Sequence, residues 1–310
     1  MEAPLGLLSL AMWKLYLSRF LTAWGDRLWA FGLSILVFRI RDQDLTLIAA
    51  YGLTNCLVQI LLGSAVGSWI DRTTRMRAAK IFLMVQNSSV ALTCAILASH
   101  FFWTDQLTEL IGEWEPILAA VLAIVIALVS TVASMGSKIV VERDWIVVIA
   151  GGDLDRLARM NSTFRVIDLV CLTATPALAG LFLDYTSYAV TALAIGAWNI
   201  VSVVLELLLL ISIYHQFPGL SDHKPVAQTD SKGLLSSMWN TVGGWKLYFR
   251  HRTFLAGLGL ALLYMTVLGF DGITWGFVLL QCVSAKVLGA LVAVSALVGL
   301  LGALVFPLLR

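Results

Sequence analysis

Apolar runs of about twenty residues recur from Trp13 to Leu309, separated by short clusters of charge. A helix of that length rises roughly 30 Å, the thickness of a bilayer's hydrocarbon core. The pattern therefore predicts membrane-spanning helices near residues 16–38, 46–70, 81–103, 116–141, 163–183, 188–213, 253–280 and 286–309. Basic residues gather in alternate loops. Arg72, Arg75, Arg77 and Lys80 follow the second span; Lys138, Arg143, Arg156, Arg159 and Arg165 surround the fourth loop; Lys224, Lys232, Lys246, Arg250 and Arg252 follow the sixth span; and Lys14 and Arg19 join them from the N-terminus. The third loop is acidic, with Asp105, Glu109, Glu113 and Glu115. Because Lys and Arg are retained on the cytoplasmic side, the N-terminus is expected there. The sequons at Asn87 and Asn161 then fall in a span and on the cytoplasmic face, where no glycosylation is expected.

One long polar stretch, residues 214–252, contains Pro218, Pro225 and the run SDHKPVAQTDSKG. It divides a six-helix unit, residues 1–213, from two further spans in residues 253–310. Six helices, a central linker and further helices are the plan of the major facilitator superfamily, in which two six-helix lobes flank a midplane site. The expected fold is thus an all-α polytopic membrane protein, with a six-helix N-lobe and two helices of a C-lobe four helices short of that plan.

Composition removes the competing classes. The chain is 59% hydrophobic and only 13% charged, with mean hydropathy +0.88, more apolar surface than one soluble core could cover. A net charge of +2 gives no basic field for nucleic acid. Cys56, Cys94, Cys171 and Cys282 stand singly in or beside apolar runs, and are expected as buried thiols. No H-E-x-x-H, G-x-S-x-G or phosphate-binding glycine loop occurs, so neither an enzyme nor an ATP-driven pump is expected, and no cofactor.

Charges inside spans are costly and are functional candidates for that reason. Asp26 lies midway along the first span, in Thr22-Ala23-Trp24-Gly25-Asp26-Arg27, and Thr22 precedes it by one helical turn. The two offer a cation a hydroxyl and a carboxylate; the alternative is an ion pair with Arg27 or with another helix. In the sixth span Asn199, Ser202 and Glu206 share one face, while Gln86 and Asn87 enter from the third. Interhelical hydrogen bonding is the other reading of these amides. In the seventh span, Leu268-Gly269-Phe270-Asp271-Gly272-Ile273-Thr274-Trp275-Gly276 sets three glycines around an aspartate, predicting a broken helix with freed backbone carbonyls at membrane depth. Between spans two and three, Gly67 to Arg77 reads G-x-x-x-D-R-x-x-R-x-R, similar to the superfamily's loop motif, whose Asp and Arg pair or separate at the cytoplasmic mouth.

The stretches TAWGDRLWAFGLSI, VVERDWIVVIAGGD, RMNSTFRVIDL, GAWNIVSVVLEL and FLAGLGLALLYMTVLGFDGITWG resemble solute carrier family 40, the ferroportins. The resemblance implies export of ferrous iron, with cobalt, zinc and nickel as further cargoes, by alternating access at the plasma membrane. It implies a metal ligand at Asp26, a cation site lined by Gln86, Asn199, Ser202 and Glu206, and a second metal site at Asp271. Asp71, Arg75, Arg143, Asp144, Arg165 and Asp168 match charged residues of the family's cytoplasmic gate. Tyr51 and Tyr264 match aromatics of its outward cavity. Two positions depart from the vertebrate pattern: Ala30 stands where a histidine follows the metal aspartate, and Gly272 where a cysteine serves metal and hepcidin. The first shifts the site toward oxygen donors, and the second argues against binding of a hepcidin-like peptide. Two other functions compete: a proton-coupled or organic-solute facilitator using Asp26 and Glu206, and a non-transporting fragment or isoform, since six helices plus two are not expected to complete a two-lobe cycle alone.

Overall fold

In the computed structural model the described residues are 5–40, 45–221, 243, 246–264 and 271–305, with side chains described for all of these except 5–11, 264, 300 and 302–305. Every regular element among them is helical. α1 (Leu5–Ile40), α2 (Leu45–Asp71) and α3 (Arg75–Phe102) lead to a short exposed helix, α4 (Thr104–Ile111). α5 (Glu115–Lys138), a π-helical turn (Ile139–Trp145) and α6 (Ile146–Ala150) continue as one rod. α7 (Leu154–Tyr185) and α8 (Tyr188–Gln216) complete the first unit. After the polar stretch come α9 (Phe254–Tyr264), α10 (Gly272–Leu280) and α11 (Ala285–Val305).

The spans expected from the pattern map onto these helices, with corrections at their ends. α7 begins at Leu154 rather than near 163, because Arg156, Arg159 and Arg165 break the apolar window without breaking the helix. Gly151 and Gly152, both at positive φ, make the turn before it, and Asp153 caps it by accepting from Arg156 N at 3.0 Å. The expected seventh span is two helices: α9 ends at Tyr264, α10 begins at Gly272, and residues 265–270 of the predicted break lie outside the described residues. Most of the expected linker, residues 222–242, lies outside them too. Among the described residues, five helices are long and apolar enough to cross a membrane. α1 is 36 residues long, and it is Asp26 and Arg27 that interrupt its apolar character. Cys94 and Cys171 are buried as expected; Cys56, on an exposed face of α2, and Cys282, in the turn after α10, are exposed.

Small residues set the helix spacing. α5 turns Ala120, Ala123, Ala127 and Ala133 inward, and Gly136 lies against the Phe82 ring of α3. Gly180 of α7 meets the Ala285 backbone of α11, and Gly289 of α11 meets the Pro176 carbonyl of α7, contacts that leave no space for a Cβ. α10 packs on α1 and α2 through Gly272 and Gly276, against Ser34, Leu45 and Ile48.

Two apolar clusters fill the interior. One gathers Trp29 to Ile40 of α1 with Val90 to Ala98, Ala120 to Ala127, Ala192, Ile195 and Trp275. The other gathers Leu15, Ala78 to Leu83, Ala133, Val140, Trp145, Met160, Leu210 and Ile213. Between them, α1 contributes Arg19, Thr22 and Asp26; α3 contributes Gln86; α5 contributes Ser130 and Ser134; α8 contributes Asn199, Ser202 and Glu206. Each helix changes from apolar to polar and back at matching depth, so the bundle has a polar layer between two greasy ones.

Candidate functional site

Asp26 sits in that layer and faces a cavity of about 660 Å³ between α1, α2, α5, the π turn and α7. Gln86 Nε2 donates to Asp26 Oδ1 at 2.7 Å, Ser134 Oγ donates to Oδ2 at 3.2 Å, and Lys138 Nζ lies 3.0 Å from Oδ2. The alternative reading of Asp26, an ion pair with another helix, does form: its partner is Lys138, from the end of α5, and not Arg27. Gln86 is buried, and its Oε1 has no hydrogen-bond partner among the described residues. An orphaned buried carbonyl is costly, and this one belongs to the amide already bonded to Asp26.

Thr22 does not join Asp26. Its hydroxyl donates to Glu206 Oε2 at 2.5 Å, and Ser202 Oγ donates to Glu206 Oε1 at 2.5 Å. Thr22 and Asp26 are four residues apart, which on a helix leaves about 40° between them; that angle is enough to turn one toward α8 and the other toward α3 and α5. Asn199 donates to Ile195 O at 2.8 Å, and its Oδ1 lies beside Gly25. The Ser202 and Glu206 face thus meets the Thr22 side of α1, and Thr22 and Glu206 line a small pocket of about 10 Å³. The residues expected at a single site fall into two groups, Asp26 at the large cavity and Glu206 at the small pocket, with Arg19, Lys138 and Glu142 bordering both.

Arg19, one turn before Thr22, holds two further carboxylates. Its Nη2 donates to Asp168 Oδ1 at 2.6 Å, and Nη1 lies 2.7 Å from Glu142 Oε1 as a charge contact rather than an aligned hydrogen bond. The π turn makes this possible, since widening α5 there sends Glu142 toward α1 while Asp144 reaches Arg75 Nε at 2.9 Å. Such turns are frequent at functional sites. Of the expected gate residues, Arg75 and Asp144 are joined, Asp168 is bound to Arg19, Arg143 and Arg165 are exposed along the cavity, and Asp71 is exposed at the end of α2. Tyr51 lines the same cavity. The Tyr264 side chain lies outside the described residues. Asp271 is exposed rather than buried and caps α10 by accepting from Thr274 N at 2.7 Å, well served by a backbone amide.

Sequence reasoning placed Lys138 and Arg19 among the charges that orient the chain and missed their part here; Ser134 and Glu142 it did not single out. It also missed a pair at the far end of the bundle, where buried His100 Nδ1 meets buried Glu115 Oε1 at 2.8 Å, tying α3 to α5. Among the described residues, no three His, Cys, Asp or Glu side chains converge as a ready-made metal cage. Of the three carboxylates on the Asp26 cavity, Glu142 and Asp168 are held by Arg19, and Asp26 is met by amide and hydroxyl groups, a hard and sparse donor set.

Comparisons with known proteins bear on the family and the fold. The family model described as Ferroportin1 (FPN1) matches residues 9–310. Ferroportin of Canis lupus familiaris is 34% identical over 98% of this chain, and ferroportin of Homo sapiens 33% over 98%. The chain spans 60% of the length of each. A bacterial homologue of the iron transporter ferroportin, solved in an inward-facing state, superimposes with a TM-score of 0.69 at 25% identity, over 99% of this chain and 69% of its own. The outward-facing homologue with soaked iron gives 0.65 at 28% identity, over 96% of this chain and 68% of its own. An all-helical, major facilitator-like multi-pass membrane fold, matched along nearly its whole length by relatives of this one kind, places the chain in the ferroportin family.

Proposed function

We propose that the chain is the cation-binding part of a divalent-metal exporter, ferrous iron being its cargo, with Asp26 the metal-anchoring carboxylate. The observation that carries this reading is the Asp26–Gln86 pair, in which a buried amide carbonyl without a partner among the described residues stands behind a carboxylate that lines the cavity. A cation entering there gains Asp26 at once, and a rotation of the Gln86 amide brings in its Oε1. Ser134 adds a hydroxyl. Oxygen donors without a thiolate or imidazole give a site that releases as readily as it binds, which suits cargo rather than a structural ion. Ala30 in place of a histidine fits the same donor set.

Export by alternating access rests on relatives solved in inward- and outward-facing states. In this chain Arg75–Asp144 and Arg19–Glu142–Asp168 are the charge contacts that close and open the cytoplasmic mouth, with Asp71, Arg143 and Arg165 around it. Asn199, Ser202 and Glu206 form a second cation compartment, opened when α1 moves relative to α8. Asp271 serves a second metal position at the start of α10. The N-terminus is cytoplasmic and the membrane is the plasma membrane. Gly272 offers no thiol at that position, so a hepcidin-like peptide does not bind.

Cobalt titration of the detergent-purified chain, with Asp26→Ala beside it, tests the site. Saturable binding that is lost in Asp26→Ala is expected; equal affinity in the two proteins would contradict the assignment.

A further inference from the structure

Of the basic side chains along the Asp26 cavity, which include Arg27, Arg143 and Arg165, Lys138 is the one seated on the Asp26 carboxylate among the described residues. It ends α5, its side chain is 45% exposed to the cavity, and its ammonium lies 3.0 Å from the carboxylate oxygen that also accepts from Ser134. A lysine with that much freedom is not locked by packing; it is held by the charge it meets. A metal ion approaching Asp26 therefore finds the site already occupied by a monovalent cation tethered to the protein.

We propose that Lys138 is an internal competitor for the metal at Asp26, a specificity-determining residue that lowers affinity and is displaced as cargo binds. The proposal rests on the reading of Asp26 as metal ligand. Displacement is geometrically open, because the ammonium swings on four methylenes into a cavity of about 660 Å³ and Glu142, one helical turn further along, lines the same cavity. A dication gains roughly twice the Coulomb energy from Asp26 that an ammonium does, so it wins at sufficient concentration. The return of the ammonium then assists release. A transporter gains from this, since cargo bound too tightly does not leave.

The pair itself, partly exposed, accounts for a factor of about 1.4–5 in affinity. Repulsion between ammonium and metal in the same cavity raises the expected total to about tenfold at low salt, shrinking as salt screens it. Cobalt titrations of the full chain in detergent at low ionic strength would compare the wild type with Lys138→Met, Lys138→Ala, Lys138→Arg and Asp26→Ala. The two neutral variants should bind cobalt about tenfold more tightly, with the gain reduced in high salt, and Lys138→Arg should stay near the wild type. Neutral variants within twofold of the wild type, while Asp26→Ala loses binding, would overturn the competitor role and leave the metal site standing. Equal binding by the wild type and Asp26→Ala would overturn both.

Discussion

Arg19 is only 6% exposed and neutralises Asp168 and Glu142 together, so its removal strands two carboxylates in the polar layer. Breaking a buried pair costs about 3–5 kcal/mol; Asp168 and Glu142 keep some solvent access, and about 2–4 kcal/mol is expected for Arg19→Met. The thermal midpoint of the purified protein should fall accordingly, and adding Asp168→Asn and Glu142→Gln should restore much of it. An Arg19→Met protein as stable as the wild type would show the contacts to be incidental. Asp26 and Glu206 were legible in the sequence, because a carboxylate within an apolar run has few innocent explanations. Thr22 was legible as a polar neighbour but its direction was not: that depends on which helix stands across from each side of α1. Lys138 and Arg19 stayed hidden for a different reason. At the ends of apolar runs, Lys and Arg read as orientation signals, and nothing in the pattern says that one points inward.

Helix ends and interruptions set the local geometry. Asp153 caps α7, and the Arg156 backbone N–H bond holds its carboxyl below the ordinary carboxylate value. A depressed folded value means the cap is fully present above the unfolded value of about 3.9 and is lost as pH falls through the lower folded value. Amide exchange in the first turn of α7 should therefore accelerate, relative to the intrinsic rate, only below about pH 4. Protection lost already near pH 6 would contradict the cap's part. At the opposite end of the bundle, His100→Ala should leave Glu115 buried without its partner and lower stability by about 3–5 kcal/mol. The pair His100→Leu with Glu115→Leu should be less damaging than His100→Ala alone, and the reverse order would exclude a role for the contact. The π turn at Ile139–Trp145 was not legible at all, since V-V-E-R-D-W reads as the frayed end of a span. The broken seventh span was legible from its glycines. What the glycines did not give is the partner surface, where α10 lies on Ser34 and Ile48.

Across the whole molecule, a polar layer between two apolar clusters lets helices move about a fixed depth without exposing either cluster's core. In the alternating cycle proposed above, the contacts that would part are those of α10 with α1 and α2, and of α11 with α7. Ser34→Cys with Gly272→Cys, placed in a background where exposed Cys56 and Cys282 are serine, should form a disulfide on oxidation. A faster-migrating band on a non-reducing gel, reversed by reduction, is the expected result; its absence would mean that the two helices do not meet here. The order of the long helices was legible because twenty-residue apolar periodicity survives local irregularity, while lateral packing was not, because it is written in small residues whose partners lie far along the chain. The central claim, a divalent cation held at Asp26 in the large cavity, is tested most directly by anomalous diffraction from crystals loaded with cobalt. The account predicts one strong peak within about 2.0–2.2 Å of an Asp26 carboxylate oxygen, with the Lys138 ammonium withdrawn from it. A peak at Glu206 with Lys138 still on Asp26, or none near α1, would contradict it.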